Sequence, residues 1–175
     1  MEKVKVMIKG TAPLLQHRYP MEEHPEEKSK KVKKIYPAQD ECEKSLYMDD
    51  KLKIYQPAEH IYSCIIMAGK NFLYDKRKMY ASVLKGMILV TPSAIYHKDQ
   101  NWVIDRRPVV INRARIVRAR PRFDNWELEF EIEYDEEVIS EFKLKEIVDF
   151  AGNRVGLGDF RPLFGRFIVT EFKKA

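Results

Sequence analysis

The sequence has few of the residues that build disulfide scaffolds, zinc sites or membrane spans. Its 175 residues contain two cysteines, Cys42 and Cys64, too few for a disulfide framework or a cysteine zinc site. No apolar run approaches the roughly 18–20 residues that cross a bilayer. The N-terminus alternates charged and apolar side chains and has no signal-peptide core. These absences predict a cytoplasmic protein without a membrane partner.

Signatures of common enzyme classes are also missing. We find no Ser-His-Asp order, no Walker loop and no dinucleotide fingerprint. Gly156-x-Gly158 follows a helix-like segment instead of a strand, which excludes a Rossmann interpretation. His60 and Cys64 are separated by one helical turn, but two ligands without a third do not make a metal site. We therefore expect no metal and no cofactor.

Glycine is scarce as well, and its distribution is uneven. Three of the seven glycines fall close together near the C-terminus. Glycine tolerates positive φ and lets backbone N–H groups approach a ligand, so such a loop can form an anion-binding concavity. Phenylalanine rings there offer faces for base stacking, and a net charge of +5 permits a polyanionic partner. The loop predicts contact with single-stranded nucleic acid through its glycine amides and the neighbouring side chains. The candidate residues are Gly156, Gly158, Phe160, Arg161, Phe164, Gly165 and Arg166.

Hydrophobic periodicity predicts a single α+β domain over residues 1–175. Two helices are predicted, one opened by Pro57 and one capped by Ser140 and closed by Gly152. The predicted strands are Val4–Ile8, Met87–Val90, Val109–Arg122, Trp126–Tyr134 and Phe167–Phe172. This order fits a ferredoxin-like (RNA-recognition-motif-like) β-α-β-β-α-β core, with a long insertion after the first strand and an extra β-hairpin.

The insertion covers residues 18–55 and has two parts. A lysine-rich stretch is followed by a short hairpin that turns at Asp49-Asp50. The lysines can clamp a phosphate backbone, and a solvated loop is an equally good interpretation. Both hold if the segment orders only on binding. The candidate contacts in this stretch are Lys30, Lys31, Lys33 and Lys34.

Arginine is concentrated between residues 106 and 122. If Asp124-Asn125 is a hairpin turn, every second arginine faces a glutamate, which predicts a structural ladder of ion pairs instead of a ligand site. The predicted pairs are Arg118 with Glu131, Arg120 with Glu129 and Arg122 with Glu127. The arginines without an acidic row opposite are the better candidate nucleic-acid contacts. They are Arg106, Arg107, Arg113 and Arg115.

Three segments together carry a resemblance to a known family. They are the glycine-rich Arg154–Val169, the strand-Pro-helix segment Ile54–Lys70, and the opening Ile8–Leu15. These segments resemble the RAMP superfamily, the RNA-binding proteins of CRISPR systems. The chain also resembles uncharacterised phage and prophage proteins, through the pieces Pro-Leu-Leu-x-His-Arg, Arg-Pro-Val-Val-Ile and Gly-Asp-Phe-Arg-Pro.

The RAMP resemblance implies a non-catalytic backbone subunit that binds single-stranded RNA and assembles with itself or with other subunits. It places the protein in a prokaryotic or phage-infected cell. Backbone subunits of type III effectors cleave RNA with a metal-assisted loop aspartate. Asp40, Asp49 and Asp50 lie in the matching insertion, although the last two are better explained as a turn.

Three alternatives stay open. The first is a phage single-stranded-DNA-binding protein of replication or recombination. The second is a metal-independent, guide-processing ribonuclease with His17 as general base, since histidine suits that role near neutral pH. The third is a protein-binding adaptor or phage anti-defence protein.

Overall fold

The computed structural model describes residues 1–19, 37–111 and 113–175, and these ranges contain eleven strands and four α-helices. The strands are β1 (Glu2–Gly10), β2 (Leu14–Leu15), β3 (Tyr55–Pro57), β4 (Leu73–Asp75), β5 (Lys78–Met79), β6 (Ile88–Thr91), β7 (Ala94–Tyr96), β8 (Val103–Ile111), β9 (Ala114–Phe123), β10 (Glu127–Tyr134) and β11 (Phe167–Lys174). The helices are α1 (Ala38–Ser45), α2 (Ala58–Gly69), α3 (Tyr80–Leu84) and α4 (Glu141–Phe150), and a π-helical turn at Ala151–Val155 extends α4.

Four strands form the central sheet in the order β11-β1-β10-β6, and every neighbouring pair is antiparallel. α2 lies in sequence between β1 and β6, and α4 lies between β10 and β11. This order is that of a β-α-β-β-α-β core. The predicted fold class, an α+β protein with a ferredoxin-like core, is therefore confirmed. Within the described ranges, no helix is long and apolar enough to cross a membrane.

Alternation along the central strands places one face of the sheet against the helices. Val4, Val6 and Ile8 of β1 are fully buried, as their period of two predicts. Their neighbours on β10, α2 and α4 belong to the same core. These are Leu128, Phe130, Ile132, Tyr134, Ile61, Cys64, Ile65, Ala68, Leu144, Ile147 and Val148.

The two core helices begin at the residues that the sequence indicates. Pro57 occupies the N-cap of α2 with φ −59°, directly before the first helical turn. Ser140 caps α4, where its hydroxyl accepts the N–H of Lys143 at 3.3 Å. Both predicted helices are therefore confirmed at their N-terminal ends.

The predicted end of the second helix at Gly152 is wrong. The helical backbone continues through the π-turn to Gly156, whose φ of 77° is left-handed. Gly152 serves a different purpose, because a Cβ there would lie 2.3 Å from the carbonyl oxygen of Phe167. It allows the turn to pack closely against β11.

A second sheet has the order β2-β9-β8, and it corrects the predicted strand Val109–Arg122. That segment belongs to two strands, since β8 and β9 form a hairpin whose turn includes Arg113 at φ 65°. The predicted arginine–glutamate ladder is also wrong, because β9 pairs with β2 and β8 while β10 pairs with β1. The glutamates of β10 face the lysine row of β1 instead, which gives the same charge complementarity between different strands.

The described part of the insertion, residues 37–55, contains one helix that the sequence analysis did not predict. α1 lies against β9, with Cys42 fully buried. The predicted turn is present, because the Asp49 carboxylate accepts the N–H groups of Lys51 and Lys53 at 2.9 and 2.8 Å. The candidate contacts Lys30, Lys31, Lys33 and Lys34 lie outside the described residues.

Candidate nucleic-acid interface

The glycine loop, residues 156–165, forms one wall of a cleft of about 260 Å³. The chain after β2 and the beginning of α2 form the other walls. The cleft is lined by Gln16, His17, Gln56, His60, Ser63, Gly158, Asp159 and Arg161. Three residues selected from the sequence, His17, Gly158 and Arg161, therefore come together in one place.

Backbone packing fixes the shape of the glycine loop. Gly156, Gly158 and Gly165 have φ values of 77°, 73° and 70°, a region that residues with a Cβ rarely adopt. Space is equally restricted. A Cβ on Gly158 would lie 2.3 Å from the carbonyl oxygen of Leu15, and one on Gly165 would lie 1.8 Å from that of Leu157. The loop therefore needs glycine at these positions to keep its shape.

Two of the three glycine amides are already used inside the protein. The N–H of Gly156 donates to the carbonyl oxygen of Ala151 at 2.9 Å, and that of Gly165 donates to Pro13 at 2.8 Å. The prediction that these two amides grip a ligand is therefore wrong. The N–H of Gly158 has no acceptor among the described residues, and Gly158 lines the cleft.

Two further hydrogen bonds join the loop to its neighbours. The thiol of Cys64 on α2 donates to the carbonyl oxygen of Gly156 at 3.2 Å. Burial raises the pKa of this thiol to about 12, so it remains a protonated donor at neutral pH and not a thiolate ligand. The N–H of Asp159 donates to the carbonyl oxygen of Leu15 at 2.9 Å. These bonds hold the loop against α2 and against the chain after β2.

Gln16 is buried at the wall of the cleft, with 1% of its surface exposed, and its side chain hydrogen-bonds to three other residues. Its Nε2 donates to the carbonyl oxygen of Tyr55 at 2.9 Å and to Oε1 of Gln56 at 3.1 Å. Its Oε1 accepts the N–H of Tyr47 at 3.0 Å. The ring of His97 lies beside it, with Nε2 at 3.3 Å. Burial lowers the pKa of His97 to about 4, so this ring is neutral near pH 7.

His17 lies at the same cleft beside a carboxylate. Its Nδ1 is 3.6 Å from Oδ2 of Asp159, and the same oxygen lies 3.4 Å from Nε of Arg120. Burial lowers the pKa of His17, Arg120 lowers it further, and Asp159 opposes both. His17 is therefore a neutral imidazole near pH 7. With its proton on Nδ1 toward Asp159, its Nε2 is free to accept another.

Arg107 lies over the phenylalanines of the glycine loop and already has partners. Its guanidinium forms two hydrogen bonds with the carboxylate of Asp105. Its Cζ is 4.4 Å from the ring centre of Phe164 and 5.6 Å from that of Phe160. Phe164 is 8% exposed and Phe160 is 38% exposed. Phe160 therefore offers the ring face for stacking, and Phe164 supports it.

The β9 arginines form ion pairs, as the sequence analysis expected, but with other partners. Glu41 on α1 lies between two of them, and its carboxylate also accepts the N–H of Ala119 at 3.0 Å. The pairs are Arg118–Glu41, Arg120–Glu41, Arg120–Asp159, Arg122–Asp105 and Arg122–Asp124. These carboxylates neutralise the row.

Three further candidate arginines are exposed but lie away from the cleft. Arg113 and Arg115 are at the far end of the β8–β9 hairpin, and the four strand steps from Arg107 to Ile111 alone span about 13 Å. Arg166 follows the glycine loop, where its Nε donates to the carbonyl oxygen of Pro162 at 2.7 Å. The structure therefore separates the predicted site into a cleft, a hairpin tip and one flanking arginine.

The open face of the central sheet, on the side away from the helices, is electrically balanced. Its lysine–glutamate pairs are Lys3–Glu133 at 2.8 Å, Lys5–Glu129 at 2.6 Å and Lys9–Glu127 at 3.3 Å. The outward residues of β1 and β10 include no aromatic side chain. RNA-recognition motifs stack bases on aromatic residues of this face. The chemistry for such stacking is absent from these two strands.

Sequence reasoning did not find several residues of the site. Gln16 and Gln56 shape the wall, Ser63 lines the cleft, and Glu41 neutralises two arginines. One signal was available, since Pro57 marks the start of α2 and so places Gln56 beside its first turn. The contact between Glu41 and β9 joins positions 78 residues apart, and no local pattern predicts it.

The fold has a counterpart among solved structures. The chain superposes on a chain of the cryo-EM structure of the Type III-B Cmr-beta bound to cognate target RNA, with a TM-score of 0.61 and 12% sequence identity. The match covers 99% of this chain and 61% of that chain. At this identity, the similarity shows a shared fold. No protein-family model matches the sequence, and no curated protein matches it.

Proposed function

We propose that this protein is a single-stranded nucleic-acid-binding module, with RNA as the favoured ligand, and that it acts without catalysis. The observation that carries the proposal is the cleft, where Arg161, the N–H of Gly158 and the hydroxyl of Ser63 converge. Neither the Arg161 guanidinium nor the Gly158 N–H has a partner among the described residues. A guanidinium, a backbone N–H and a hydroxyl are the groups that contact phosphates and sugars. Phe160, which lies between Asp159 and Arg161 in the chain, supplies a partly exposed ring.

The dimensions of the site favour a single strand over a duplex. A cleft of about 260 Å³ is comparable with one nucleotide and far smaller than the groove of a double helix. Sequence-tolerant binding of single strands combines a basic path with stacking rings. The balanced open face of the sheet makes an RNA-recognition-motif mode on that surface unfavourable, so the ligand belongs on the cleft side.

The preference for RNA rests on the shared fold and on the RAMP resemblance. The solved neighbour is a chain of a CRISPR complex bound to target RNA. By this analogy the protein is a CRISPR backbone-type subunit that assembles with itself or with other subunits. The alternative ligand is single-stranded DNA, as a phage replication or recombination protein would bind.

The test is fluorescence-anisotropy titration with matched single-stranded RNA and DNA of about 30 nucleotides, over a series of salt concentrations. Arg161→Ala is expected to weaken binding about tenfold and to reduce the salt slope by about 0.7, the effect of one lost phosphate contact. Arg154→Ala is the matched control, because Arg154 is exposed and outside the cleft. It should bind like the wild type.

The outcomes separate the alternatives. Tighter binding of RNA supports the CRISPR-type function, and equal or tighter binding of DNA supports the phage function. If neither strand binds at physiological salt, the nucleic-acid proposal is wrong. The protein-binding adaptor is then the remaining candidate.

One observation favours a second function, a metal-independent ribonuclease. The pair His17–Asp159 has the arrangement of a general base oriented by a carboxylate. His17 Nε2 would take the proton of a ribose 2′-hydroxyl, the 2′-oxygen would attack the adjacent phosphorus, and the 5′-oxygen would leave and take a proton from water. The products are a 2′,3′-cyclic phosphate and a 5′-hydroxyl end.

This second function is tested by incubating RNA with the protein in the presence of a chelator. Cleavage should be lost in His17→Ala while binding persists, and a substrate with a 2′-deoxy nucleotide at the cut should resist. If the variant cleaves at the wild-type rate, or if the wild type does not cleave, this function is excluded.

A further inference from the structure

The segment between α2 and α3 carries a concentration of positive charge that the proposed cleft does not use. Residues 70–85 include five basic residues and a single acidic one, Asp75. Three of the five are consecutive: the first two form the turn of the small β4–β5 hairpin, and the third is the first residue of β5. The basic residues are Lys70, Lys76, Arg77, Lys78 and Lys85.

These basic side chains are exposed. Every residue from Leu73 to Met79 is exposed. None of the five basic side chains has a carboxylate partner among the described residues. The Asp75 carboxylate instead accepts the backbone N–H of Lys76 at 2.6 Å. The hairpin therefore presents a local positive potential, unlike the lysine row of β1.

An aromatic ring accompanies the charges. Tyr74 is 41% exposed, and its ring meets that of Tyr80 edge-on, with centroids 5.2 Å apart. A ring supported by its neighbour in this way keeps a face available for a base. Leu73 and Met79, the paired residues of the hairpin, are 61% and 45% exposed. Exposed rings between cations are typical of surfaces that bind single strands.

The hairpin and the cleft lie at opposite ends of the same helix. The cleft uses the first turns of α2 through His60 and Ser63, and the hairpin follows the last turn. Twelve residues make α2 about 18 Å long. Two exposed residues of α2, Ser63 and Met67, and Lys70 directly after the helix are spaced by four and three positions, so they form one stripe that joins the two ends.

We propose that the β4–β5 hairpin is a second nucleic-acid contact surface. A single strand that enters the cleft continues along the exposed stripe of α2 and meets Lys76, Arg77 and Lys78, with Tyr74 stacking on a base. At about 3.4 Å per stacked nucleotide, the helix corresponds to about five nucleotides between the two contacts. This inference rests on the proposed function for the first contact. It adds a direction and a length to the path of the strand.

The experiment compares the full-length wild type with Lys76→Ala/Arg77→Ala/Lys78→Ala, by anisotropy on uridine oligonucleotides of about 4 and about 12 nucleotides. The control is Lys3→Ala/Lys5→Ala/Lys9→Ala, which removes the same formal charge from the open sheet face. The melting temperature of each variant verifies its folding. The hairpin variant should bind the longer oligonucleotide about tenfold more weakly, with a salt slope smaller by about 2. It should bind the shorter one like the wild type.

The results for these variants distinguish this inference from the proposed function. If Arg161→Ala loses affinity and the hairpin variant keeps the wild-type affinity and salt slope, the hairpin inference is wrong and the cleft stands. If the hairpin variant loses affinity and Arg161→Ala does not, the hairpin contact stands and the cleft proposal is wrong. If the two charge variants weaken binding equally, the effect is one of net charge, and the inference is overturned. If the hairpin substitutions affect only the binding of a protein partner, the inference is also overturned.

Discussion

On the open face of the central sheet, each of three lysines on β1 is paired with a glutamate of β10. On the side of the glycine loop, carboxylates pair with the β9 arginines, but Arg161 at the cleft has no acceptor among the described residues. Net charge therefore says little about where a polyanion binds. Two regions with many charged residues differ because one is balanced residue by residue, whereas the other leaves Arg161 without an acceptor in the part of the chain that the structure describes.

The two regions also differ in how their shape is fixed. The open face depends on exposed ion pairs, which contribute little to stability. The glycine-loop side depends on left-handed glycines, a buried glutamine and a buried histidine. Substitutions and pH changes should therefore affect the two regions by very different amounts.

Gly165→Ala is expected to lower the free energy of unfolding by about 3 kcal/mol or more. Gly165 has φ 70°, and an added Cβ would lie 1.8 Å from the carbonyl oxygen of Leu157. Gly86→Ala is the matched control, because nothing lies within 4 Å of a Cβ there, and its stability should stay close to the wild type. Urea unfolding measures both. Equal stabilities of the two variants would contradict the packing described for the loop.

Lowering the pH should reduce the stability contributed by the cleft side before it disrupts the ion pairs of the open face. Burial lowers the pKa of His97 from 6.5 to about 4, so the unfolded state takes up the proton first. The stability contributed by the neutral ring is complete above pH 6.5 and is lost as the pH falls toward 4, by up to about 3 kcal/mol. Lysine partners lower the pKa of Glu127 and Glu129 below 4.5. The open face therefore begins to lose its pairs only below pH 4.5.

The measurement is the free energy of unfolding against pH, for the wild type and for His97→Gln. Between pH 6.5 and pH 4, the free energy of unfolding of the wild type should fall more steeply than that of the variant. The difference in slope should correspond to the uptake of up to one additional proton on unfolding. Parallel curves for the two proteins would show that His97 does not titrate as its burial implies.

The same substitution on the two sides should have different effects. Glu41→Gln is expected to cost about 1–2 kcal/mol of unfolding free energy, because Glu41 accepts the N–H of Ala119 and lies between Arg118 and Arg120. Glu129→Gln removes an exposed partner of Lys5 and should have no measurable effect. Thermal or urea unfolding distinguishes them. A larger loss from Glu129→Gln would reverse the comparison.

The smallest effect is expected for ligand binding at the open face. Lys5→Ala should change the affinity for single-stranded RNA by less than about twofold, since its charge is already neutralised by Glu129. Anisotropy at low salt is the most demanding measurement, because screening is then weakest. A loss as large as that of Arg161→Ala would place the ligand on the sheet face after all.

Local patterns predicted much of the fold. The period of two in β1, the helix start at Pro57 and the cap at Ser140 depend on neighbouring residues, and each is present in the structure. The pairing of β10 was predicted wrongly, because its glutamates match two basic rows equally well. The arginines of β9 and the lysines of β1 alternate with the same period. Because β9 is the nearer strand in the sequence, the prediction paired β10 with β9 instead of β1.

The candidate site was predicted in part, for a similar reason. The positive φ of Gly156, Gly158 and Gly165 follows from residue type and spacing. Whether the Gly156 and Gly165 amides are occupied depends on their acceptors, Ala151 and Pro13. Pro13 lies near the opposite end of the chain. A pattern thus indicates that a loop is sharply turned, but only the assembled fold shows which of its amides remain free.

Gln16 has one consequence for the energetics of binding. Its amide group connects Tyr47, Tyr55 and Gln56, which come from separate parts of the chain, so the wall of the cleft loses its conformational entropy during folding. A strand that enters the cleft then has only its own freedom to lose. The entropy of association should therefore depend on the stiffness of the nucleic acid, and a strand that is already stacked should bind with the smaller entropic cost.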